Sequence, residues 1–242
     1  MTTLQPAMPE ACLSDLPFTR LHLTPRGWLF HAGQPGPGLY FVHAGYLRTS
    51  VGSDDGRERI TAFPMRGDWL GLDSLGSACH ASDAVSLDTS EVWHLPVAAL
   101  AHEAVANAVA AYCARQLREQ QAWALAVGSL CAEHRVLAFL EDQARRHAGL
   151  GCSATRFTLR MTRAEIGNFL ALQIETVTRA LAKLQASGRI QIERRDVTLL
   201  DVAHACHDTA PPPLPAVRGH RAWGAFRSRA RGGLPTHAHG LT

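Results

Sequence analysis

In the segment IETVTR, Glu175, Thr178 and Arg179 are spaced so that a helix sets an acid, a hydroxyl and a guanidinium on one face. Val177, Leu181 and Leu184 fall on the opposite face and are apolar. Such a helix packs with one side and presents fixed polar groups with the other. In a DNA major groove these groups have defined counterparts: arginine pairs bidentately with guanine, glutamate accepts from the cytosine amino group, and an apolar side chain such as Ile174 meets a thymine methyl. Taken alone, Glu175 and Arg179 read better as a surface pair contributing roughly a few tenths of a kcal/mol. Their surroundings decide between the two.

Thr162 and Glu165 form a T-x-x-E capping box at a helix start. That helix is expected to reach about Leu170; a tight connection at Ala171 to Gln173 then leads into a second helix ending near Ala186, with Gly188 as its left-handed cap. This is a helix-turn-helix. The following RIQIERRDVTLLD gives two short alternating runs around ERRD, a hairpin that forms a wing. The same region is locally basic, which points to phosphate. Ile174, Glu175, Thr178 and Arg179 are therefore the expected base-reading residues, and Thr162, Arg163, Lys183, Arg189, Arg194 and Arg195 the expected phosphate contacts on double-stranded DNA.

The elements that must carry this unit lie upstream. Residues 16–96 are short β-type runs separated by glycine-bearing turns (GQPGPG, HAG, SDDGR, RGD), as in an all-β barrel or sandwich. At Val97 the composition changes to a long helix, expected over 97–130, followed by a second. The class is α+β. In the long helix Val105, Val109, Tyr112 and Leu117 are available for a homodimer seam; the other reading is packing on the chain's own β domain. Residues 131–202 make the DNA-binding domain, 1–15 a flexible amino end, and 203–242 a disordered tail rich in proline, glycine and arginine. The whole chain carries +3, and the tail alone carries five arginines against Asp208, a net of +4, leaving the body near −1.

Composition excludes several classes. With 46% hydrophobic residues in 242, the chain buries a real core. No run approaches a membrane span, and the amino end lacks the pattern of a secretory signal, so a cytoplasmic location with no membrane partner is expected. Six scattered cysteines without a C-x-x-C pair suit reduced thiols. A G-x-S-x-G elbow, a phosphate loop and H-E-x-x-H are all missing from the sequence, so no enzyme is expected.

The segment MTRAEIGNFLALQIETVTRALAKLQASGRI resembles the FNR branch of the CRP/FNR family of bacterial transcription regulators, with its methionine-threonine-arginine start, its glycine-asparagine pair and a recognition helix of the E-x-x-S-R type. Threonine stands here at the serine. GDWLGLDSL in the β region is similar as well, and the likeness covers roughly residues 16–202. It implies an amino-terminal β-roll of the cyclic-nucleotide-binding type, a long dimerisation helix and a carboxy-terminal winged helix-turn-helix. It further implies a homodimer on a TTGAT-N4-ATCAA palindrome with RNA polymerase as partner. Two departures bear on the signal. The branch's iron-sulfur cluster needs about four thiolates, whereas the amino end offers Cys12 alone and Trp93 stands near the fourth position. The cyclic AMP branch holds its phosphate with an arginine and a serine, whereas GDWLGLDSLGSACHASDAVSL has no arginine and puts Asp83 near that place. No cofactor is therefore expected. The alternatives are a haem on His80, His94 or His134, as in a gas-sensing relative, or a degenerate member that binds protein partners.

Overall fold

The structure, a computed structural model, describes residues 18–77 and 79–200. The expected amino end, Cys12 and the basic tail lie outside the described residues. Eight strands fold into two facing four-stranded antiparallel sheets. One has the order β1-β8-β3-β6, from β1 (Thr19–Leu23), β3 (Gly38–Ala44), β6 (Trp69–Leu70) and β8 (Ser90–Pro96); the other has the order β2-β7-β4-β5, from β2 (Trp28–Phe30), β4 (Leu47–Gly52), β5 (Glu58–Ala62) and β7 (Asp83–Ser86). Pairing of β3 with β8 sets Leu39 against Leu95, Phe41 against Trp93 and Val42 against Val92, all buried. Strand β5 is an edge, bonded within its sheet to β4 alone.

The chain leaves the roll through a short 3-10 turn, Val97–Ala101, and enters α1 (Glu103–Ser129). The helix thus starts later than the composition change at Val97 suggests, because Ala99 is first tucked against the roll and His102 breaks the run with an extended backbone. On α1, Val105, Val109 and Tyr112 recur at helical spacing and pack with Leu39, Phe41, Trp69 and Trp93. Three of the four expected seam residues therefore face the chain's own roll. They cover its large aromatic residues, and only Leu117 of the four, 57% exposed, is free to meet a partner.

After a two-residue break, α2 (Ala132–Gly149) leads into β9 (Arg156–Thr158), then α3 (Arg163–Leu170), α4 (Ile174–Ala186), β10 (Ile190–Glu193) and β11 (Asp196–Leu199). The wing has three strands in the order β10-β11-β9, with Phe157 opposite Val197. Strand β9, at three residues, is too short for alternation to show in the sequence.

The core of this unit does not stop at the domain border. Ile60 and Phe63 of the roll belong to one buried apolar cluster with Val136, Phe139 and Leu140 of α2, Ile166 and Leu170 of α3, and Val177, Leu181 and Leu184 of α4. Beside it, Asp68 of the roll is 5% exposed and bonded by Arg115 of α1 at 3.2 Å and by Arg146 of α2, which also donates to the Phe63 carbonyl at 3.0 Å. Burial acts to lower the Arg146 pKa, but Asp68, followed by Asp142, more than reverses this and keeps the guanidinium charged. Tyr46 and His147 make a second tie: His147 gives its Nδ1 hydrogen to the Gln143 carbonyl at 2.7 Å, so its Nε2 accepts from the Tyr46 hydroxyl. Burial pushes that phenol up to about 12, which keeps it a donor. Because the core is shared, Phe63→Ala, a change in the roll, is expected to cost about 3–5 kcal/mol and to destabilise roll and DNA-binding helices in one transition. Urea denaturation followed at both regions checks this; two separate transitions would contradict it.

Candidate nucleic-acid interface

The geometry of α3 and α4 is fixed locally. Thr162 is the N-cap of α3: its hydroxyl accepts from the Glu165 amide at 3.2 Å while its own amide donates to the Glu165 carboxylate at 2.7 Å. The helix stops at Ala171, which adopts φ 55° and ψ 46°, a left-handed conformation that costs a non-glycine residue roughly 1–2 kcal/mol. Gly167 is needed for a close approach, since a Cβ there would lie 2.6 Å from the Leu172 carbonyl oxygen. At the far end of α4 the Arg189 amide bonds to Leu184 O and the Gly188 amide to Gln185 O, both at 3.0 Å, with Gly188 at φ 71°. This is the Schellman arrangement that satisfies the last carbonyls of a helix.

Helix α4 buries Val177, Ala180, Leu181 and Leu184 and turns Glu175 and Arg179 to solvent. Ile174, its first residue, is 44% exposed. Thr178 is half-buried; its hydroxyl donates to the Ile174 carbonyl at 2.9 Å, and Arg163 of α3 reaches it at 3.4 Å. Arg179 turns to the Thr176 hydroxyl at 3.4 Å rather than pairing with Glu175. The surface ion pair weighed above is thus not formed, and the guanidinium is held only weakly. Ile174, Glu175, Thr178 and Arg179 lie together along the first two turns, with Arg163 beside them. Lys183 is exposed in the last turn, while Arg194 and Arg195 form the exposed turn of the wing, Arg194 at φ 59°. Arg189 is half-buried at the start of the wing. The Thr162 hydroxyl is engaged in its cap.

Sequence reading missed the contacts that hold α3 to the roll. Asn168 and Phe169 bond to β5, Arg48 reaches Glu165 at 3.6 Å, and Arg160 pairs with Asp88 at 2.8 Å. The glycine-asparagine pair was a visible signal, but its meaning needs the neighbouring strand.

Inside the roll, the residues present do not fit a cyclic phosphate. The Ala81 and Ser82 amides and the Ser82 hydroxyl, donors of the kind an anion would use, are taken by the Asp73 carboxylate at 3.0, 2.9 and 2.6 Å. Burial acts to raise the Asp73 pKa, yet Ser82, His80 and the Ala81 amide hold it below the ordinary value, so the anion there is the protein's own. Asp83 accepts from the Ala32 amide at 2.9 Å close by. Trp93 is buried and stacked on Phe18 and His43. Of the three histidines considered for haem, His80 is stacked on Phe30 at 3.8 Å and faces Asp73, His94 lies against Tyr40, and His134 sits 3.1 Å from Cys131 Sγ. His80 and His94 thus flank one Tyr40 ring, while His134 is in the first turn of α2. Among the described residues no group of three or more metal-ligating side chains occurs, and no helix is long and apolar enough to cross a membrane.

A β-roll joined through a long helix to a winged helix-turn-helix, with the second helix presenting its polar face outward, defines a DNA-binding regulator. Residues 20–106 match the cyclic nucleotide-binding domain family, and residues 134–204 match the Crp-like helix-turn-helix domain family. The chain is 32% identical over 202 residues to the transcriptional regulatory protein btr of Bordetella pertussis, covering 81% of this chain and 84% of that one. It is 33% identical to the anaerobic regulatory protein of Pasteurella multocida, covering 72% of this chain and 66% of that one. The structure of FixK2 from Bradyrhizobium japonicum superposes with a TM-score of 0.69 at 29% identity, covering 77% of this chain and 94% of that one. The chain belongs to the CRP/FNR family of DNA-binding transcriptional regulators, a non-catalytic family. Since Thr162 caps α3, Thr162→Ala is expected to lower stability by about 1 kcal/mol, measured as a shift in the denaturation midpoint. DNA affinity at temperatures well below that midpoint should fall little.

Proposed function

We propose that the protein acts as a homodimer that reads a TTGAT-N4-ATCAA type palindrome with α4. The observation that carries this reading is the exposed row Ile174, Glu175, Arg179 with Thr178 beside it, on a helix whose other face is fully buried. An isoleucine exposed at a helix start beside an acid and an arginine is suited to base edges. Arg163, Lys183, Arg189, Arg194 and Arg195 are the phosphate contacts in this reading. Thr162 supports them indirectly, through its cap.

The dimer seam in this reading is the face of α1 turned away from the roll. Ala110, Cys113, Leu117, Gln120, Ala124 and Val127 follow alternating steps of three and four residues and are exposed or half-exposed, the spacing of a two-helix seam. The occupant is a second copy of the same face, which brings two α4 helices to successive major grooves. RNA polymerase is the further partner, and the five tail arginines add sequence-independent attraction to phosphate.

The reading is tested with Arg179→Ala on operator variants. The substitution should cost about 1–3 kcal/mol and relax selectivity at the guanine; an equal loss on every sequence, or no operator binding by the intact protein, as expected of a member that binds only proteins, would sink it. The occupied anion position in the roll, together with Cys12 as the one thiol of the amino end, leads to a second expectation. Operator affinity should change less than about tenfold, which is about 1.4 kcal/mol, on adding millimolar cyclic AMP or on admitting air to anaerobically purified protein. A larger change in either comparison identifies the signal instead.

A further inference from the structure

Strand β5 ends its sheet, so one side of its backbone has no neighbouring strand. Unpaired strand edges normally meet water or another chain. Here the side chain of Asn168 on α3 fills the place. Its Oδ1 accepts from the Ile60 amide at 2.7 Å and its Nδ2 donates to the Glu58 carbonyl at 2.8 Å, the two bonds that one residue of an adjoining strand would make. The next residue is held from the same strand: the Phe169 carbonyl accepts from Arg59 at 2.9 Å. The Phe169 ring packs on Phe63 of the roll, Trp123 of α1 and Phe139 of α2. Arg48, on β4, pairs with Glu58 at 2.7 Å and reaches Glu165 of α3 at 3.6 Å.

These contacts bear on α4 although none touches it. Helix α3 is joined to α4 through the close Gly167–Leu172 turn, so the two move as one body. Helix α4 has 13 residues, and at a rise of 1.5 Å each it is about 20 Å long. A rotation of α3 by about ten degrees therefore sweeps its far end by roughly 3 Å, close to the 3.4 Å step of one base pair.

We propose that Asn168 is a positioning residue for DNA binding: by completing the edge of β5 it fixes the angle at which the roll carries α4, and so the spacing of half-sites that the dimer accepts. The inference rests on the homodimer-on-palindrome reading above. A merely stabilising residue would affect all DNA binding alike, whereas a positioning residue affects the relation between the two half-sites.

The experiment compares the full-length wild type with Asn168→Leu, which keeps the size and removes both bonds, and with Arg59→Ala, a change on the roll surface that leaves the helix-turn-helix sequence intact. Affinity is measured for palindromes with the expected spacer, with one base pair more or fewer, and for a single half-site with and without its guanine. Amide exchange at Ile60 and within α4 is followed in the free protein. Wild type should prefer one spacing by about tenfold or more. Asn168→Leu should speed Ile60 exchange by about tenfold or more with α4 still protected, and reduce the spacing preference to about threefold or less, while the guanine preference of the half-site persists. Arg59→Ala should shift the spacing ratio in the same direction by a smaller factor, and it decides the matter if Asn168→Leu does not fold. An unchanged spacing ratio, unchanged Ile60 exchange, or a uniform loss on all DNAs overturns the proposal. A wild type without any spacing preference overturns the palindrome reading itself, and Asn168 then positions nothing.

Discussion

The apolar core shared between the roll and the DNA-binding helices is the contact on which the other features depend. Ile60 and Phe63 come from a β strand and the residue after it, yet they are buried among side chains of α2, α3 and α4. A helix-turn-helix of two short helices has little interior of its own, because α3 and α4 supply only 8 and 13 residues. Taking two large side chains from the roll enlarges that interior and at the same time settles the placement of the helices. The charged pair of Arg146 with Asp68 and the bond from Tyr46 to His147 then act across a partly buried interface, where each is stronger than it would be in open water.

The roll has the architecture of a ligand-binding domain, but the donors an anion would use are taken by its own carboxylates. Asp73 takes the amides of Ala81 and Ser82, Asp83 takes that of Ala32, and His80 is packed flat on Phe30. On the outer face the opposite holds. Arg179 has one weak intramolecular contact and the wing arginines stand in solvent, so these cations lose little internal bonding when they meet an anion.

Much of this was legible in the sequence, for reasons that can be stated residue by residue. The capping box at Thr162 and Glu165, the apolar face of α4 and the glycine at 188 are local signals, and each appears where local rules place it. Val105, Val109 and Tyr112 left two readings open, a seam or packing on the chain's own roll, because periodicity reveals that a helix has an apolar face but not which body covers it; the roll's aromatic residues pack against this one. Strand β9 was too short for its alternation to register. The role of Asn168 was hidden for a different reason, since its partners are backbone atoms 108 and 110 residues away, and backbone atoms leave no trace in residue types.

The cover over β5 has a consequence for how far this molecule can open. An edge strand with free amides and carbonyls is a template for pairing with another chain, and here it is flanked by Ile60 and Phe63, both 2% exposed. Proteins usually protect such edges with charged side chains, proline or a bulge; β5, with the sequence ERITA, has exposed Glu58 and Arg59, one register irregularity where it meets β4, and the cover of α3. Full release of the DNA-binding helices would therefore lay bare both a strand edge and two apolar side chains, the combination that leads to aggregation. Any rearrangement compatible with a soluble protein has to keep α3 on that edge and proceed by small rotation. For this chain, solubility and the range of motion allowed to its DNA-binding helix are set by the same few contacts.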